Sequence, residues 1–251
     1  MNFLKRMFNS WSDVANKELN WYSSDNEQRY QDNLKKHYND LLKFNWIDNS
    51  FTYKFNKYGF RCEEFVDTDN IMFLGCSVTQ GIGLPNELIF PNLVAKETKL
   101  RCANLAVHGT SADTAFRLAT SFADKIKPKI IISVLLFDHR LELLLPDGVQ
   151  HFTGQWSMVG NTKLDSTYRK NYIEFYEKWM MKPENAFLNY NTNVLALRKY
   201  CNTKNIKYIN YDNNSFGIDA TAYPTKARDL IHPGIEYHQI AANKILKDIQ
   251  L

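Results

Sequence analysis

The first 46 residues place apolar and aromatic side chains at helical spacing, with charged and amide side chains on the other face. The apolar positions are Leu4, Phe8, Trp11, Val14, Tyr30, Leu34, Tyr38, Leu41 and Leu42. Polar residues 23–25 interrupt this pattern and Glu27 is placed as in a capping box, which predicts two helices. We interpret residues 1–48 as an N-terminal helical arm. It would pack on the rest of the chain or on another subunit, and the second case would make a homo-oligomer.

Beyond residue 49, short apolar runs alternate with segments of helical periodicity. The runs predict strands at 51–55, 70–75, 100–107, 130–137 and 206–211. The intervening periodicity predicts helices at 112–126, 166–181, 191–203 and 235–249. This alternation predicts an α/β domain over residues 49–251, a three-layer sandwich with a central parallel sheet. Functional sites in such sheets lie at the carboxyl ends of the strands.

Composition and charge exclude several classes of protein. With 44% apolar and 23% charged residues among 251, the chain is neither collagen-like nor disordered. A formal charge of +4 without a basic block does not favour a nucleic-acid partner. The longest apolar run, 130–137, is far shorter than the roughly 20 residues of a membrane span. The N-terminus also lacks the apolar core of a signal peptide. We therefore expect no membrane partner, and a cytoplasmic or otherwise unassigned location.

The cysteines indicate neither a disulfide framework nor a metal site. Cys62, Cys76, Cys102 and Cys201 form no CxxC motif and have no metal-ligand spacing toward histidine. We predict four free thiols, no metal and no other cofactor.

A serine flanked by glycines follows the first buried strand. Residues 75–81 read Gly-Cys-Ser-Val-Thr-Gln-Gly. A strand that leads into this turn places the hydroxyl of Ser77 at the carboxyl edge of the sheet, near free backbone N–H groups that can stabilise an oxyanion. The spacing is neither that of a phosphate-binding loop nor the GxSxG of α/β-hydrolases.

A second candidate lies just before the last predicted helix. Asp229 and His232 are three residues apart, so the carboxylate can hold the imidazole in one tautomer. Pro233 and Gly234 redirect the chain and present His232 from a loop.

Together these blocks resemble the SGNH, or GDSL-type, hydrolases. Residues 75–81 resemble the family's Gly-Asp-Ser-x-Thr-x-Gly block, and residues 104–111 its second block with Gly after Asn. Asp229-Leu-Ile-His232 resembles the late Asp-x-x-His block. The resemblance spans residues 51–251 in the family's order and implies the family's flavodoxin-like sandwich.

The resemblance also implies a role for each matching residue. Ser77 would be the nucleophile, His232 its general base and Asp229 the orienting acid. The backbone N–H groups of Ser77 and Gly109 would form the oxyanion hole. The substrate would be a small-molecule or glycan ester.

Two departures from the family pattern change these expectations. Cys76 replaces the family's Asp beside the serine, and a second possibility is that Cys76 itself is the nucleophile. The Gly-x-Asn-Asp block is absent after the central strand, where Asp138, His139 and Arg140 stand instead. These three residues and Trp156, in the following insertion, are candidates for substrate binding. The alternative for residues 138–140 is a salt-bridged strand end.

Three functions are consistent with these residues. The first is a serine esterase for a small acyl group, with an acetyl group on a carbohydrate as the leading class. The second is a binding or structural module that kept the fold and lost efficient catalysis, and the third is an acyltransferase that uses the same triad.

Overall fold

The computed structural model describes residues 12–145, 148–152 and 166–249. Its strands are β1 (Glu18–Leu19), β2 (Tyr53–Lys54), β3 (Asn70–Gly75), β4 (Arg101–Asn104), β5 (Pro128–Val134), β6 (Leu141–Leu145), β7 (Gly148–Phe152) and β8 (Lys207–Tyr211). A central four-stranded sheet has the order β4-β3-β5-β8, and each neighbouring pair in it is parallel. The predicted α/β class with a parallel sheet is therefore confirmed.

The described residues also form eight α-helices. They are α1 (Glu27–Lys36), α2 (Tyr38–Lys43), α3 (Ser77–Gln80), α4 (Phe90–Thr98), α5 (Ala112–Ile126), α6 (Ser166–Phe175), α7 (Pro183–Thr203) and α8 (Ile235–Ile249). A π-helical turn, Tyr176–Met180, follows α6. Among the described residues, no helix is both long and apolar enough to cross a membrane.

Two apolar layers form because β3 is buried on both faces. Its side chains alternate, so that Met72 and Leu74 pack with residues of α5 and α7 on one face. Ile71 and Phe73 pack with residues of α4 and α8 on the other. A continuous apolar run is what a strand covered on both sides requires. The expected three-layer sandwich follows from these two cores.

Four predicted strands have different bounds in the structure, of which the one at 206–211 begins only one residue later, at Lys207. Residues 53–54 of the predicted strand 51–55 pair antiparallel with β1, outside the central sheet. The prediction at 100–107 ends earlier, because the side chain of Asn104 accepts a hydrogen bond from the N–H of Ala106. The central strand ends at Val134 rather than at residue 137. A side-chain contact such as that of Asn104 is a feature that a periodicity does not register.

The arm is helical only in part. Residues 2–11 of the predicted first helix lie outside the described residues, and the prediction is wrong for Glu18–Leu19, which form β1. Helix α1 is capped by Asn26, whose side chain accepts from the N–H of Arg29, instead of by a capping box with Glu27. Trp46, after α2, is buried and donates from Nε1 to the carbonyl of Lys226 at 2.8 Å. The described part of the arm thus packs on the body of its own chain.

Candidate active site

Ser77 is the first residue of α3, directly after the end of β3. The turn needs Gly75, because a Cβ there would lie 2.2 Å from Thr79 Oγ1 and 2.7 Å from the carbonyl oxygen of Val134. Ser77 is partly exposed, whereas its neighbour Cys76 is 3% exposed. The turn therefore presents the serine at the carboxyl edge of the sheet.

Cys76 belongs to the apolar core between the sheet and α8. It packs in the same cluster as Phe73 and Tyr237. The burial of its side chain argues against the alternative that Cys76 is the nucleophile. The four cysteines are free, as predicted.

Asp229 and His232 form a hydrogen-bonded pair. Oδ2 of Asp229 lies 2.6 Å from Nδ1 of His232, and Oδ1 accepts the backbone N–H groups of Ile231 and His232, both at 3.0 Å. Asp229 is 2% exposed, and burial alone would raise the pKa of its carboxyl. The hydrogen bonds and the charge interaction with His232 outweigh burial, so the pKa of Asp229 is lowered. The carboxylate is therefore ionised at neutral pH and holds the imidazole in one orientation.

The loop that carries this pair is closed on itself. The N–H of Ala227 donates to the carbonyl of His232 at 2.9 Å, and that of Gly234 donates to Thr225 at 2.8 Å. Leu230 adopts a left-handed conformation with φ 57°. These contacts make a compact loop from which the His232 side chain, 14% exposed, reaches the surface.

Direct contacts join this loop to the turn after α3. The N–H of Arg228 donates to the carbonyl of Gly83 at 3.0 Å. A third segment, the loop after β4, is tied to α3 because the N–H of His108 donates to Gln80 Oε1 at 2.9 Å. Desolvation by the surrounding protein lowers the pKa of the His108 imidazole, and the nearby charge of His232 lowers it further. The residue still has solvent-exposed surface. Helix α3 with the turn after it, the loop of His108 and the loop of His232 are therefore three segments in direct contact.

Two backbone N–H groups at this edge are available to a ligand. Within residues 12–145, 148–152 and 166–249, neither the N–H of Ser77 nor that of Gly109 donates a hydrogen bond. Gly109 has φ 76°, which glycine adopts readily. In the same part of the chain, Ser77 and His232 are not hydrogen-bonded to each other. Catalytic hydrogen bonds are often long in unliganded enzymes and shorten when substrate binds.

Residues 138–140 follow the neighbouring strand β5. His139 Nδ1 lies 3.7 Å from Asp138 Oδ1. The guanidinium of Arg140 lies 4.0 Å from the ring centre of Phe137, and its Nη1 donates to the carbonyl of Thr110 at 3.5 Å. Its Nε is buried and has no hydrogen-bond partner in the described structure. Arg140 therefore contacts Thr110, the residue that follows Gly109 in the sequence. Trp156 lies outside the described residues.

The arm adds contacts at this site that the sequence did not predict. Ser24 Oγ donates to Asp229 Oδ2 at 2.7 Å, and the ring of Tyr22 meets that of His108 edge-on with centroids 5.5 Å apart. Residues 23–25 carried only the signal of a helix break. No group of three or more His, Cys, Asp or Glu side chains suited to a metal ion occurs among the residues that the structure describes.

Comparison with solved structures finds matches at low sequence identity and with TM-scores below 0.5. A member of the lipolytic G-D-S-L family from Veillonella parvula is 14% identical over 73% of this chain and 99% of its own, with a TM-score of 0.36. A psychrotrophic esterase from a Pseudoalteromonas species is 13% identical over 73% and 97%, with a TM-score of 0.35. An acetyl xylan esterase from Butyrivibrio proteoclasticus is 13% identical over 80% and 66%, with a TM-score of 0.38. No family model and no curated protein sequence gives a significant match.

Proposed function

We propose that the protein is a serine esterase that hydrolyses a small acyl ester. The observation that carries the proposal is the 2.6 Å contact between the buried carboxylate of Asp229 and Nδ1 of His232, on a loop bonded to the turn after Ser77. A buried carboxylate that fixes one imidazole nitrogen leaves the other nitrogen to take a proton from a nucleophile.

In the proposed reaction, Ser77 Oγ attacks the ester carbonyl while His232 Nε2 takes its proton. Asp229 stabilises the imidazolium that forms. The N–H groups of Ser77 and Gly109 donate to the oxyanion of the tetrahedral intermediate. His232 then returns the proton to the leaving alcohol, and an acyl-enzyme remains on Ser77. Water attacks this acyl group, again with His232 as base, and releases the carboxylic acid and the free serine.

The proposed substrate is an acetyl ester, with an acetylated carbohydrate as the leading class. This choice follows from the resemblance of the sequence blocks to the SGNH hydrolases. In this proposal Asp138, His139, Arg140 and Trp156 contact the substrate. Support for Arg140 comes from its unpartnered Nε and its position next to the Gly109 loop.

The absence of the family's Gly-x-Asn-Asp block after β5 favours a second candidate, a module with the same fold and weakened catalysis. The family's Asn donates to the oxyanion, and an ionised Asp138 has no proton to donate. Loss of one such donor costs about 2.7–4 kcal/mol in a protease. Acyl transfer to a hydroxyl acceptor would use the same three side chains, with the acceptor in place of water.

The experiment is hydrolysis of p-nitrophenyl acetate by the wild type, Ser77→Ala and Cys76→Ala at equal concentration. We expect Ser77→Ala to lose activity, because no nucleophile remains, and Cys76→Ala to keep it within a few-fold. Equal rates for wild type and Ser77→Ala would refute the role of Ser77 with this ester. An organophosphonate then tests the nucleophile directly, because a folded protein that stays unlabelled at Ser77 is the non-catalytic module. Release of acetylated sugars in place of acetate, on adding a sugar acceptor, would identify a transferase.

A further inference from the structure

A tight turn of the arm reaches the Asp229–His232 pair. Tyr22 and Asp25 pair through both backbone hydrogen bonds, at 2.8 and 3.2 Å, and Ser23 between them has φ 59°. The turn directs the Ser24 side chain at Asp229, 205 residues away in the sequence. Ser24 Oγ donates to Oδ2, the same carboxylate oxygen that contacts His232 Nδ1. One oxygen of the carboxylate thus serves both the imidazole and the arm.

The turn is fixed to the body by a buried ion pair. Asp25 is 1% exposed and Arg228 is 3% exposed, and Arg228 Nη2 lies 2.7 Å from Asp25 Oδ2. Arg228 precedes Asp229 directly, so the ion pair holds Ser24 beside its acceptor. The hydroxyl of Tyr53 also donates to Asp25 Oδ2, at 2.5 Å, and accepts the N–H of Gly83 at 2.7 Å. The arm is therefore bonded directly to the loop that carries Asp229 and His232, and through Tyr53 to the turn after α3.

A second arm contact supports the same placement. Asn33, on α1, donates from Nδ2 to the backbone carbonyl of Asp229 at 3.4 Å. Helix α1 and the turn before it thus contact both the side chain and the backbone of this residue. A hydroxyl that donates to a buried carboxylate fixes the orientation of that group and withdraws negative charge from it.

We propose that Ser24 is a positioning residue for the Asp229–His232 pair, so that the arm is an integral part of the active site. The inference rests on the proposed function for its catalytic consequence only. Without the Ser24 hydroxyl, Oδ2 keeps only its contact with His232 Nδ1, and the two backbone N–H groups on Oδ1 are the other contacts that fix the carboxylate.

The electrostatic consequence can be measured at Asp229 itself. The hydrogen bond from Ser24 is one of the contacts that lower the pKa of the Asp229 carboxyl, so its removal raises that pKa. Other ionisable groups near the pair are Arg228 and Asp25, His108 from the loop after β4, and His238 from α8. The substitutions below leave all four unchanged.

The test compares Ser24→Ala with Ser24→Thr and with a matched control, Ser215→Ala. Ser215 Oγ donates to Asp212 Oδ1 at 2.6 Å on the exposed loop after β8, so this control also removes a hydroxyl from a carboxylate. The first readout is the ¹³C NMR titration of the Asp229 carboxyl. The second is kcat/KM for p-nitrophenyl acetate. Both use the full chain.

We expect Ser24→Ala to move the Asp229 titration to higher pH and to lower kcat/KM by about tenfold. Ser24→Thr should retain both values, and Ser215→Ala should leave both unchanged. An Asp229 titration that is the same in Ser24→Ala and in the wild type would overturn the inference, as would an equal loss of activity in Ser215→Ala. If the wild type has no esterase activity but the Asp229 titration moves, the positioning role stands and the proposed function fails.

Discussion

Gly83 lies at the contact between the turn after α3 and the loop that carries Asp229. Its φ is +79°, and a Cβ added there would lie 2.7 Å from Ala227 Cβ and 3.2 Å from the backbone nitrogen of Arg228. Two carbon atoms in contact are normally separated by about 3.5–4.0 Å. Gly83→Ala would therefore force the two loops apart by about 1 Å, the difference between these distances.

Two costs combine in this variant. An alanine in the left-handed region costs roughly 1–2 kcal/mol, and overpacking at a buried contact costs a further ~1–3 kcal/mol. We expect Gly83→Ala to lower the free energy of unfolding by about 2–5 kcal/mol in all. In the proposed triad the same displacement would separate Ser77 from His232, and a misplacement of about 1 Å reduces catalytic rates by on the order of 100-fold.

Urea unfolding and p-nitrophenyl acetate hydrolysis measure the two effects, with Gly217→Ala as the matched control. Gly217 has φ +68° with no atom within 4 Å of its added Cβ, so that variant carries the backbone cost alone. Ala227→Gly combined with Gly83→Ala removes the close Cβ contact, and should restore part of the stability and activity. The reasoning is refuted if Gly83→Ala costs no more than Gly217→Ala, or if Ala227→Gly restores nothing.

Two further predictions concern buried ionisable groups. Burial lowers the pKa of His238 to about 3, whereas in the unfolded chain a histidine binds its proton near pH 6.5. The unfolded chain therefore binds more protons at this residue, and the free energy of unfolding decreases as the pH falls below about 6.5. His238→Asn keeps an acceptor for the N–H of Phe90. Between pH 6.5 and 4.5, its free energy of unfolding in urea titrations should decrease less than that of the wild type. Equal decreases in the two proteins would contradict this prediction. Arg228→Met leaves Asp25 buried without its cation and should cost about 3–5 kcal/mol. Adding Asp25→Leu should recover part of that loss in thermal or urea unfolding. If the losses of the two single variants simply add in the double variant, the pairing is contradicted.

Local patterns were sufficient for much of the proposed site. The apolar run 70–75 predicted β3, and its end placed Ser77 at the sheet edge. The spacing of Asp229 and His232 anticipated their contact, because residues three apart in one turn meet without help from the rest of the chain. The assignment of Cys76 or Ser77 as nucleophile was open in the sequence. Burial of Cys76 in the core favours Ser77, which is partly exposed.

The sequence by itself determined the layers of this protein and the local geometry of the Asp229–His232 pair, since both depend on periodicity and on residues close together in the chain. The tertiary structure alone decided that Ser24 donates to Asp229 and that Asp25 pairs with Arg228. These partners are more than 200 residues apart in the sequence. The way the arm packs on the last loop brings them together, and no local pattern records the position of a partner so distant along the chain.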